Sequence, residues 1–104
     1  MTELNPIATE VVFENEEVRI WNQVVPKGAS IPRHEHHHDY YLINIAGEGP
    51  LEIQFHNGSG GVLGDSLSFS PKPGTADLIM KGHIETAVNR GDEYRAILVE
   101  LKNT

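Results

Sequence analysis

The chain has 104 residues, enough for one modest hydrophobic core and too few for two. Eight Lys and Arg against fifteen Asp and Glu give a net charge of −7 with no basic cluster, which leaves a phosphate backbone little to bind and argues against a nucleic-acid partner. Cysteine is absent, which excludes disulfides, thiolate nucleophiles and zinc–thiolate sites and leaves His, Asp, Glu and Tyr as the available metal ligands.

Taken in chain order, Met1 to Ile20 carries acidic side chains where a secretory signal needs a basic start and an apolar middle. No segment approaches membrane-spanning length, so the expectation is a cytoplasmic protein with no membrane partner. Met1 to Glu10 reads as a loosely held arm. Short apolar segments follow, rich in Val, Ile, Leu and aromatics and punctuated by ten Gly and six Pro. Val11 to Phe13, Val18 to Val25, Ile31 to His36, Tyr40 to Ala46, Leu51 to Phe55, Ser66 to Ser70, Ala76 to Met80, His83 to Asn89 and Tyr94 to Leu101 each read as strands, and no helix is predicted. The expectation is a single all-β domain over residues 1–104. In Val18 to Val25 the even positions are mostly apolar and are expected to face the core, as are Leu67 and Phe69.

Two segments break this pattern. Four of the six histidines fall within His34 to His38, and alternation along a strand puts His34 and His36 on one face, where both can reach one ion. His83-Ile84-Glu85 likewise places ligand-capable side chains where a packed interior would want Val or Leu. The competing reading of the His run is a solvated tract with no metal. For Glu85 it is a structural carboxylate paired with Arg19 or Arg95. By the same phase His56, Glu35, His37 and Asp39 face away from the interior.

With the strands placed, the chain resembles the cupins, small barrels of the jelly-roll or double-stranded β-helix type, over nearly its whole length. Gly28, His34, His36, Tyr40 and Gly47 meet the spacing of that family's first motif, with Tyr40 where Glu is expected. Gly74, Met80, Gly82, Glu85 and Asn89 meet the second, with Met80 for Pro and Glu85 for His. The resemblance implies a divalent metal, iron, manganese, nickel or zinc, on His34 and His36, with Glu85 supplying from the second motif the carboxylate missing at Tyr40. Two imidazoles and one carboxylate are the ligand triad of non-haem iron(II) sites. Tyr40 is cast as a hydrogen-bond donor, because a phenol must lose its proton to bind a metal well. His38 and His83 share strand parity with the ligands and are weighed as a fourth metal ligand or a catalytic base.

The function expected from this set is a small metal-dependent enzyme acting on a small polar organic molecule, as an iron(II) dioxygenase or through isomerase or lyase chemistry. Leu42, Phe69 and Ile97 are expected to line its barrel. The rival is a module that binds a sugar or organic acid without turning it over and without need of a metal. A purely structural role leaves the inward His and Glu unexplained. Family analogy adds a homodimer, formed by strand exchange or sheet packing through the Val11 to Val25 region.

Overall fold

Apolar runs too short for helices and bounded by glycine and proline turns fold here into antiparallel strands. The structure, a computed structural model, describes residues 5–104, and the first four residues of the expected arm lie outside this range. The strands are β1 Glu10–Glu14, β2 Val18–Val25, β3 Ser30–Glu35, β4 Tyr40–Ala46, β5 Leu51–Phe55, β6 Ser66–Phe69, β7 Ala76–Ile79, β8 Ile84–Asn89 and β9 Tyr94–Leu101, with one 3-10 turn at Gly61–Leu63. They form a five-stranded sheet in the order β1-β2-β9-β4-β7 and a four-stranded sheet in the order β3-β8-β5-β6. The all-β expectation holds, and the predicted strands differ from these by one residue or so at their ends.

Val25, Tyr40, Leu51, Tyr94, Ala96 and Leu98 are buried between the sheets, and Ile7 and Ala8 join them. The expected loose arm is therefore held over its described part. Asn5 N donates to Arg33 O at 3.2 Å, and Thr9 Oγ1 accepts from Val24 N at 2.8 Å. Two apolar side chains gain more by entering the core than the segment loses in freedom.

Register fixes which face of each strand points inward, and it corrects two expectations. β2 pairs with β9 so that Arg19, Trp21, Gln23 and Val25 stand opposite Glu100, Leu98, Ala96 and Tyr94. Gln23 and Val25 are buried, so the inward face of β2 is the odd one and not the more apolar even one. Ile97, expected inside, lies on the outer face with Ile20 and Ile43, while Ala96 and Leu98 point in. The outer face of this sheet is itself apolar, which is why composition alone misplaces the phase.

The end opposite the histidines is closed by polar struts. Asn89, fully buried, donates to Val25 O at 2.9 Å and Asp92 O at 2.8 Å and accepts from Gly91 N at 3.0 Å. Gly91 is required there, since a Cβ would lie 1.8 Å from Gly49 O. No helix among the described residues is long and apolar enough to cross a membrane.

Candidate metal centre

Strict alternation from Ile31 would turn His34 outward, since the two are three residues apart. The pairing of β3 with β8 shifts register between Ile31, opposite Ala87, and His34, opposite Glu85, so that three steps on β3 match two on β8. This bulge, at Pro32 and Arg33, brings both Ile31 and His34 to the inner face. Proline suits it, having no N–H to leave unpaired in the ladder. Pro32 also fixes the ring beyond it: its carbonyl accepts from His34 Nδ1 at 2.8 Å, so in the neutral imidazole Nε2 carries the lone pair. His36 follows just past the end of β3, where its N donates to His83 O at 3.0 Å and its O accepts from Gly82 N at 2.8 Å.

The result is a tight triangle. His34 Nε2 lies 3.1 Å from His36 Nε2, His34 Nε2 lies 3.3 Å from Glu85 Oε1, and His36 Nε2 lies 3.2 Å from the same oxygen. These atoms form a group able to hold a metal ion. With metal–ligand bonds of about 2.1 Å, donors at right angles stand about 3.0 Å apart and tetrahedral donors about 3.4 Å, so the triangle fits one transition-metal ion. Three electron-rich atoms in contact also require something positive between them, a shared proton or a cation. The two histidines are only 2% and 1% exposed.

Electrostatics keep the carboxylate ready. Burial opposes ionisation of Glu85, but hydrogen bonds and charge from His34 and His36 outweigh it and hold its pKa at about 2. Burial is also the main influence on His36, lowering its pKa and favouring the neutral imidazole that a metal needs, against an opposing pull from Glu85. Tyr40 stacks on His36 with ring centroids 4.3 Å apart and planes 14° from parallel. Burial, reinforced by the charges of Glu85, Tyr94 and Glu100, raises its pKa well above the ordinary value, so it stays a phenol.

The triad opens into a cavity of about 350 Å³ whose wall is mainly apolar, including Ile31, Leu42, Leu51, Ile53, Phe69 and Leu98. Tyr40 and His83 line it as well, the His83 ring lying 5.0 Å from that of Phe55. Leu67 and Phe69 face it as expected, and Ile97 does not. His38 is not brought to the triad: β3 has ended, the chain bends there, and parity no longer governs its direction. His37 is exposed, and His56 bonds Thr86 Oγ1 at 2.7 Å away from the cavity. The arginines weighed as partners for Glu85 are engaged elsewhere, Arg19 with Glu14 and Glu100 and Arg95 with Glu93.

Among the inward polar residues that sequence reasoning missed are Glu100 and Gln23. Glu100 is 3% exposed and accepts from Trp21 Nε1, with Arg19 3.6 Å away. Gln23 is 4% exposed and lines the cavity. Both lie on the faces of β2 and β9 that the register turns inward, and a correct phase for either strand would have exposed them.

No protein-family model matches the chain, and comparison with curated proteins finds no relative. Solved structures do match. A cupin domain from Bordetella pertussis is 22% identical with a TM-score of 0.77, over 98% of each chain. A double-stranded β-helix protein from Klebsiella pneumoniae is 22% identical with a TM-score of 0.65, over 88% of this chain and 73% of that one. The DMSP lyase DddQ from Ruegeria pomeroyi is 16% identical with a TM-score of 0.60, over 84% of this chain and 39% of that one. The architecture is thus that of a small cupin-type double-stranded β-helix, with a His-His-Glu group at one end of its barrel.

Proposed function

We propose that this chain is a small metal-dependent enzyme whose divalent ion is held by His34, His36 and Glu85, and whose substrate is a small organic molecule presenting a polar head to that ion; an iron(II) dioxygenase is the specific form proposed. The observation that carries this reading is the convergence of three donor atoms, from β3, the segment just beyond it and β8, within 3.3 Å of one another. A divalent ion bound there would act as a Lewis acid toward a substrate oxygen and, as iron(II), would supply the one-electron chemistry that dioxygen requires. Tyr40, kept protonated and braced against His36, donates a hydrogen bond to the substrate oxygen. His83, on the cavity wall, takes up a proton released by the substrate. The apolar wall excludes water and strengthens each of these interactions.

The same triad supports isomerase or lyase chemistry, and a non-catalytic binding role is the second reading, favoured by a largely apolar cavity suited to retaining a ligand. Oxygen uptake separates them. Iron-loaded protein offered β-diketones, thiols and catechols is expected to consume dioxygen, and Glu85→Gln is expected not to. If none is consumed, the oxygenase form is wrong; a compound that raises the melting temperature without being turned over favours the binding role.

We place this activity in a cytoplasmic homodimer. Among the described residues β1 is an edge strand, and an edge can pair with its own copy across a two-fold axis. Beside it the outer face of the five-stranded sheet exposes Phe13 at 52% and Ile45 at 52%, with Tyr41 and Leu78 also exposed.

A further inference from the structure

The far end of the cavity contains a polar group with nothing to bind. Gln23 sits on the inward face of β2, and its Oε1 is buried without a hydrogen-bond partner among the described residues. An unpaired buried amide oxygen is costly. Asn44, on the same level across β9, is fully used: its Oδ1 accepts from Tyr94 Oη at 2.6 Å and its Nδ2 donates to Thr75 Oγ1 at 3.2 Å. Gln23 itself lines the cavity.

We propose that the cavity binds an elongated amphiphile: an anionic oxygen head at the His34, His36 and Glu85 end, a neutral apolar body, and a hydroxyl or amide tail that hydrogen-bonds to Gln23. The head assignment rests on the metal reading above, since a divalent ion with one carboxylate keeps a net positive charge that attracts an anion. The tail assignment rests on Gln23 alone. Its neutrality follows from Asp77, which lines the same cavity and would repel a second anionic group.

Length and volume restrict the class further. In β9, Glu100 is level with Tyr40 at the triad end and Ala96 is level with Gln23. The four steps from Ala96 to Glu100 span about 13 Å of strand. A cavity of about 350 Å³ holds about twelve non-hydrogen atoms at roughly 30 Å³ each. An eight-carbon acid with a terminal hydroxyl meets both limits.

Calorimetric titration of zinc-loaded protein with octanoate and with 8-hydroxyoctanoate tests this, zinc being redox-inert. The hydroxy acid is expected to bind about tenfold more tightly, as one buried charge-free hydrogen bond allows. In Gln23→Leu that preference should vanish while octanoate binds at least as well, and the ligand-free variant should melt higher because the unpaired amide is gone. Equal affinity of the two acids for the unaltered protein overturns the proposal without needing any variant. So does an undiminished preference in Gln23→Leu, or no binding of either acid. Repeating the titration on chelator-treated protein isolates the metal reading: affinity for both acids that survives metal removal refutes the head assignment, whereas the ratio between the acids reports only on Gln23.

Discussion

Glu85 carries a heavy chemical demand, because among the described residues it is the only carboxylate in contact with both buried imidazoles. Glu85→Gln keeps its size and removes its charge, so the variant should remain folded while metal affinity falls by more than the roughly 10- to 100-fold typical of losing a supporting partner. Equilibrium dialysis against a metal buffer measures this. Tyr40→Phe keeps the stack on His36 and removes only the hydroxyl, so metal content should stay constant while turnover drops. Tyr94 offers a test independent of the metal. Its pKa is raised mainly by burial and next by the charge of Asp77, so the neutral phenol is favoured in the folded state. A group shifted this way stabilises the fold fully below its unfolded pKa of about 10 and loses that contribution as pH rises through the folded value. Tyr94→Phe should therefore flatten the alkaline limb of the stability curve. At neutral pH it should cost about 1–3 kcal/mol, because Asn44 Oδ1 loses its donor.

At the scale of the strand, β3 shows what was legible and what was not. Alternation pointed to a shared face for His34 and His36, the cupin resemblance added Glu85, and β3 and β8 do pair at His34 and Glu85. The bulge that makes the face possible was signalled only by Pro32, which reads in a sequence as a strand edge as readily as a bulge. In β2 and β9 the strands themselves were readable, but both faces are apolar enough that hydrophobicity could not assign the phase. Inward Gln23 and Glu100 were lost with it. Parity was equally uninformative at His38, which lies beyond the strand end. The inward phase of β9 has its own test. Leu98 is buried at the middle of the cavity wall, so Leu98→Ala should cost about 2–5 kcal/mol in denaturant unfolding, while Ile97→Ala, on the other face, should cost less.

For the molecule as a whole, two sheets of unequal width leave the smaller to supply every triad ligand and the larger to supply Tyr40, Gln23 and most of the core. The larger sheet presents its second apolar face outward, and the proposed dimer gives that face a use. Sedimentation of the full chain should show a dimer that Phe13→Asp converts to monomer, and a monomeric starting protein would remove the dimer from the account. Fold, cavity and surface all depend far less on a metal than the chemistry does. Elemental analysis of untagged protein, purified without a metal column, bears on that chemistry most directly. The account predicts about one divalent ion per folded chain, lost in Glu85→Gln with the barrel intact. A trace content that is the same in protein and variant, even after incubation with iron, manganese, nickel and zinc salts, would contradict it.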